Sequence, residues 1–236
     1  PCHTKQIQEI ADRNKLKVIY DAAHAFGVKQ DGKSLLNEGD LSIVSFHATK
    51  VFNTFEGGAI ISQSKEMKER IDSLKNFAFQ GNQISCEPGL NGKMNELQAS
   101  FGLLQLRYVD EAIQSRHKVS EIYRDRLSGI EGIRLLDEPR DVLCNYSYFP
   151  IFISSKKYGI SRDELFQKFV SINIFPRKYF SPLISDMPCY ETSYENSIVK
   201  YPVSNELSSE VLCLPIYSTL SFENINRIVG VIRGEA

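Results

Sequence analysis

Two polar residues at the ends of apolar runs, Asp21 and Lys50, are where this chain could do chemistry. Leu41-Ser42-Ile43-Val44-Ser45-Phe46 reads as a buried strand of a parallel sheet. Lys50 follows among Phe46, Val51, Phe52 and Phe55 rather than among other charges. Burial by such neighbours lowers a lysine pKa and frees a neutral amine to attack a carbonyl. A solvated loop lysine is the structural alternative. Upstream, Val18-Ile19-Tyr20 ends on Asp21. Ligands of open α/β sheets gather at the carboxyl ends of strands, so spacing alone predicts that Asp21 and Lys50 converge. Taken by itself, Asp21 reads better as a helix N-cap or a strand-end turn than as a functional group.

The elements that must position these residues follow from periodicity. Thr4 caps a helix to about Asn14, Leu16 to Tyr20 is a strand, and Val28 to Ser34 is a hairpin around Asp31-Gly32. Ala59-Ile60-Ile61 forms the next strand after Gly57-Gly58, followed by a helix over Lys65–Asn76. Phe77 to Gly92 reads as a polar loop. From Met94 the apolar pattern runs on through Leu127, predicting one helix of about 35 residues that bridges two lobes. We therefore expect residues 1–115 to belong to one domain and 116–236 to a smaller α+β domain. In the latter, strands at Ile133–Leu136, Tyr146–Ile153 and Ile172–Phe175 alternate with helices at Arg162–Val170, Val203–Leu212 and Phe222–Ile232.

Composition excludes several classes. With 42% hydrophobic and 24% charged residues and a net charge of −1, the chain is globular, with no electrostatic pull toward nucleic acid or anionic membrane. No apolar run approaches the roughly 20 residues of a membrane span. The five cysteines (Cys2, Cys86, Cys144, Cys189 and Cys213) lack disulfide-framework or zinc spacing, so reduced thiols and a cytoplasmic location are expected. Gly27 to Ser34 matches the nucleotide-binding pattern G-x-x-x-x-G-K-S/T. That loop needs a strand running into its first glycine and a helix at its lysine, and the Asp-Gly hairpin explains the same letters better. The chain opens on Pro1-Cys2 directly before a helix and a parallel-type strand, which reads as the carboxyl portion of a longer protein.

Four stretches carry a family resemblance: V-I-Y-D-A-A-H-A-F-G (18–27), S-F-H-A-T-K (45–50), E-G-G-A-I (56–60) and G-L-N-G-K-M-N-E-L-Q-A (89–99). Together they resemble the DegT/DnrJ/StrS family of sugar-nucleotide aminotransferases over essentially the whole chain. The resemblance implies the fold-type-I (aspartate-aminotransferase-like) α/β architecture, here the later part of the large domain with a mixed, mainly parallel sheet. It also implies pyridoxal 5'-phosphate as cofactor, with Lys50 as the lysine that holds it covalently and Asp21 as partner of its ring nitrogen. Ser45 matches the hydroxyl on the cofactor phosphate, against a serine merely tolerated at a strand end. His24 stands where many members carry glutamine near the phenolic oxygen; it can make a similar hydrogen bond, and a core histidine is its alternative. Asn91 matches an asparagine lent to the neighbouring subunit's phosphate site, implying a homodimer. Where many members have arginine two residues later, this chain has Lys93. In F-P-R-K-Y-F-S-P-L (175–183), Arg177 resembles a residue near the substrate, with a surface arginine as the alternative. A metal site is not expected.

A branch of the family has histidine at the lysine position and removes a sugar hydroxyl, so Lys50 favours transamination over dehydration. The phrasing is most similar to enzymes aminating C4 of a dTDP-4-keto-6-deoxyhexose with glutamate, for polysaccharide, O-antigen or antibiotic sugars. Family members carry a further segment before the point where this chain starts. Without it, weak cofactor binding and little activity are expected of the chain alone, as for a catalytically silent or regulatory homologue.

Overall fold

The computed structural model describes residues 1–81, 83–84, 87–190 and 201–235. Of the expected loop 77–92, Asn82, Ser85 and Cys86 lie outside the described residues. The chain groups into two compact units, Pro1–Ala112 with Pro139–Asn145, and Ile113–Glu138 with Tyr146–Ala236.

The first unit opens with α1 (Thr4–Asn14), where His3 rather than Thr4 holds the N-cap position, with no side-chain cap bond. Strand β1 (Ile19–Asp21) begins later than its apolar run predicts. The Val18 N–H donates to the Asp40 carboxylate at 2.8 Å, while its carbonyl accepts the Asp40 and Leu41 N–H groups. Strands β2 (Lys29–Gln30) and β3 (Lys33–Ser34) form the expected hairpin. Asp31 and Gly32 sit at φ 50° and 76°, the positive values that a two-residue turn of this kind requires. Lys33 therefore lies on a strand rather than at a helix opening, so the phosphate-loop geometry is not built.

Strand β4 (Leu41–Ser45) pairs parallel with β1, matching Asp21 with Ile43, and antiparallel with β5 (Gly58–Ser62), matching Ser45 with Gly58. The sheet is thus mixed, with one parallel and one antiparallel pair. In this chain the strands are covered on one face. Ser42 and Val44 are buried, whereas Ile19, Ile43 and Ile60 on the other face are 59%, 47% and 49% exposed. Side chains alternate along a strand, so Asp21 and Ser45 lie on that same open face. A Cβ on Gly58 would stand 2.7 Å from the Val44 carbonyl oxygen. Gly58→Ala should therefore destabilise the protein by about 1–3 kcal/mol in urea unfolding, and an unchanged midpoint would contradict this packing.

After α2 (Lys65–Leu74), short strands β6 (Phe79–Gln80) and β7 (Gln83–Ile84) pair within the expected loop. The single helix predicted from Met94 is two, α3 (Glu96–Gln105) and α4 (Val109–Leu127). Arg107 and Tyr108 donate to carbonyls three residues back, at 3.1 and 3.0 Å, and this tighter turn breaks the ladder. No proline or glycine marks the break, so the apolar period runs through it unseen. Strand β8 (Ile133–Leu135) follows, then β9 (Val142–Leu143), which adds to β2 in the first unit.

The second unit is an antiparallel sheet in the order β11-β10-β8, with β10 at Phe149–Ile153 and β11 at Val211–Leu214. Helix Arg162–Ser171, held by a Ser161–Glu164 capping box, and helix Phe222–Arg233 carry the main apolar faces onto it. Tyr123, Leu165, Phe169 and Leu212 are fully buried there. Two expectations are corrected. Ile172–Phe175 is a turn and an extended stretch rather than a strand. The predicted helix at Val203–Leu212 spans Pro202–Glu210, and its last residues belong to β11. A run as apolar as Val-Leu-Cys-Leu suits a strand buried on both faces and cannot be told from a buried helix end by period alone.

Candidate active site

The site is built where β1 and β4 end. Asp21 is the last residue of β1, and its carboxylate accepts the Ala23 N–H at 3.1 Å, turning the chain. The Ala22 N–H still donates to the Ile43 carbonyl, so the turn stays anchored to β4. His24 and Phe26 are delivered by this turn. On the next strand, Ser45 ends β4 with its hydroxyl accepting the His47 N–H at 3.3 Å. The loop beyond is closed by two backbone bonds, from Phe46 N–H to the Gly57 carbonyl and from Thr54 N–H to the Phe46 carbonyl.

Within that loop the Lys50 Nζ lies 2.8 Å from His24 Nε2. If the amine donates, Nε2 is the bare ring nitrogen and Nδ1 carries the proton. Burial pushes the Lys50 pKa down, partly opposed by the negative charge of Asp21. Burial likewise lowers His24, reinforced by the charge of Lys50 and opposed by Asp21. Both basic groups are thereby biased toward their neutral forms.

Aromatic rings make the wall behind them. Phe26 stacks on Phe52 with centroids 4.4 Å apart, and Phe46 meets Phe52 edge-on at 4.8 Å. Phe55, expected to help dry the amine, instead stacks on Phe101 of α3 and stays 58% exposed. The desolvation of Lys50 is therefore partial, and the lysine is half-buried. A neutral fraction that persists at lower pH than for exposed lysines follows. Half-maximal labelling of Lys50 by an amine-reactive reagent should come below the ordinary value near ~10.4, and a midpoint shared with the exposed lysines would contradict it.

The structure thus brings Asp21, His24 and Lys50 together, with Ser45 closing the adjacent strand. His47 is engaged locally, with Nδ1 2.9 Å from Thr49 Oγ1 and Nε2 3.6 Å from Glu56. Asn91 is exposed and its backbone bridges to Asn76; among the described residues no hydrogen bond joins it to the group above. Lys93 lies over the Phe77 ring at 4.3 Å. Arg177 belongs to the second unit, where its backbone pairs with Cys213 and it lines a cavity of about 890 Å³ with Tyr179, Phe180 and Leu183. One contributor went unread in the sequence. The Asn145 side-chain amide donates to the carbonyls of His24 and Phe26. Nothing local in Leu-Cys-Asn-Tyr signals that role.

A half-buried lysine and a carboxylate that bears on it electrostatically lie at or just past the carboxyl ends of adjacent strands, in a mixed α/β sheet, which accords with the fold-type-I architecture. The chain belongs to the DegT/DnrJ/EryC1/StrS aminotransferase family, whose sequence profile matches residues 1–233. It is 48% identical over 233 residues to a dTDP-4-amino-4,6-dideoxy-D-glucose transaminase of Shigella dysenteriae, covering 99% of this chain and 63% of that protein. An Escherichia coli protein of the same name is 42% identical, covering 100% of this chain and 63% of its own length. Among solved structures, DesI crystallised in the presence of its TDP-sugar product superposes with a TM-score of 0.89 at 32% identity, covering 100% of this chain and 60% of that one. The chain therefore spans under two thirds of the length of these relatives. No helix among the described residues is long and apolar enough to cross a membrane.

Proposed function

We propose that this chain forms the reactive part of a pyridoxal-phosphate-dependent enzyme that transfers an amino group to a keto-sugar nucleotide. The reading narrows to a dTDP-4-keto-6-deoxyhexose, aminated at C4 with glutamate as donor. Its main support is the 2.8 Å contact between Lys50 Nζ and His24 Nε2, with Asp21 bearing electrostatically on both. The names of the relatives support the sugar and the nucleotide. The donor set fits the cofactor: a partly dried amine, a carboxylate and a hydroxyl all face the carboxyl edge of β1 and β4.

Pyridoxal phosphate, when bound, supplies an aldehyde for amines and a ring that takes up the electron pair of a broken C–H bond. Lys50 would hold the group covalently through its neutral amine. When not covalently engaged, the same Nζ would act as the base that accepts a proton from the substrate carbon and as the acid that gives it back. His24 hydrogen-bonds and orients that amine. The Asp21 carboxylate would favour the protonated form of the ring nitrogen. The Ser45 hydroxyl serves the phosphate, and Asn91, exposed, serves the phosphate site of a second subunit in a homodimer. Arg177 meets an anionic part of the substrate. We assign Pro1–Ala112 to the large cofactor domain and the second unit to the small domain. Free thiols at Cys2, Cys189 and Cys213 accord with a cytoplasmic site of action.

The test is a fusion that joins this chain to the part of the Shigella dysenteriae relative outside the match. Supplied with cofactor, glutamate and dTDP-4-keto-6-deoxyglucose, it should form an amino-sugar nucleotide with the mass and C4 connectivity expected. Formation of a dehydrated sugar, or no product while cofactor is bound, would contradict the reading.

A further inference from the structure

We propose that Asn145 is a positioning residue for the site, holding the turn that carries His24 in register with Lys50. The inference rests on the assignment of Lys50 and His24 to the reactive centre. Asn145 is 6% exposed, and its side-chain amide donates to the His24 carbonyl at 2.7 Å and to the Phe26 carbonyl at 2.8 Å. A primary amide carries two protons, and here both are used on one turn. The two carbonyls flank Ala25, so the clamp grips the turn on either side of its tightest point, where Ala25 donates back to Ala22.

What brings Asn145 there is a detour of the chain. The segment Pro139–Asn145, which in sequence separates the two parts of the second unit, groups with the first. Strand β9 pairs Leu143 with Lys29 and Val142 with Gln30, and the Asp31 N–H donates to the Asp141 carbonyl at 3.1 Å. This three-stranded ribbon fixes the height of Asn145 beside the residues that immediately precede β2. The other side of the turn is held by Phe26 stacked on Phe52, a residue of the Lys50 loop. The His24 backbone is thus tied to Asn145 and, through Phe26, to the loop that carries its partner. With the clamp gone, the anchor at Asp21 and the ring stack would remain, but the span between them would be free to move.

Asn145→Leu keeps the volume and removes both donors without changing any charge. Among the described residues the charged groups that bear on His24 include Lys50 and Asp21, and the substitution alters neither. We would follow the His24 imidazole by NMR titration in this chain, wild type and variant, without cofactor. Released from its place 2.8 Å from the Lys50 amine, His24 should titrate upward, toward the ordinary value near ~6.5. A variant that keeps the wild-type circular dichroism and cooperative unfolding, yet leaves the His24 midpoint unmoved, would overturn the proposal. Should Asn145→Leu not fold, wild-type hydrogen exchange decides instead. The Asn145 side-chain protons should exchange about tenfold or more slowly than those of an exposed asparagine, and exchange at the exposed rate would overturn the clamp. Borohydride reduction with pyridoxal phosphate separates the two readings. If His24 shifts but nothing is trapped on Lys50, the positioning role stands and the cofactor assignment falls; trapping with an unmoved His24 gives the converse.

Discussion

Replacing Lys50 by arginine should leave the protein folded and lower transamination by at least about 10³-fold in the fusion enzyme. Arginine keeps a positive charge near Asp21 and His24, so the electrostatic surroundings change little. It stays protonated at any working pH, however, and has no neutral amine to offer a carbonyl. The wild-type lysine is the opposite case, half-buried and with its pKa pushed down by that burial. One substitution therefore removes both the covalent hold and the proton carrier while the fold is kept. Turnover within about tenfold of wild type would mean that chemistry runs through another group.

The second large effect belongs to Asp21→Asn. A carboxylate about 3 Å from a protonated ring nitrogen attracts it by about 5 kcal/mol gross at an effective dielectric near 20. Each ~1.4 kcal/mol retained corresponds to a unit in the nitrogen's pKa. The amide is the same size and can still hydrogen-bond, so cofactor affinity should fall by no more than about tenfold. Turnover should fall about 10²-fold or more, because the ring loses its charge-holding partner. Asp21 also opposes the lowering of Lys50 and His24, so its loss should move both titrations further down. Wild-type turnover in Asp21→Asn would remove the residue from the site.

How much of this was legible beforehand differs by feature. The ends of β1 and β4 were visible to within a residue, because one apolar run stops on Asp21 and the other just past Ser45, at Phe46, and strand ends are where open sheets place ligands. The hairpin at Asp31-Gly32 was visible because few residue pairs tolerate those angles. The break between Gln105 and Val109 was not, since a tightened turn needs no special residue and the apolar spacing survives it. The open face of β4 was hidden as well: Ile43 is as apolar as Val44, and composition does not say which one meets a neighbour. Phe55 illustrates the same limit, because closeness in sequence to Lys50 did not decide that its ring would turn to Phe101. Asn145 is the extreme case. Its partners lie in a turn that precedes it by half the chain, and only the pairing of β9 with β2 brings them within reach.

The central claim is that one amine, and not lysines at large, condenses with the cofactor aldehyde. The direct measurement is to incubate the chain with pyridoxal phosphate, reduce with borohydride and map the modified peptides by mass spectrometry. We expect the reduced adduct on Lys50 at cofactor concentrations that leave exposed lysines such as Lys15 and Lys118 unmodified. An adduct spread evenly over the surface lysines, with Lys50 no more modified than the rest, would contradict the account.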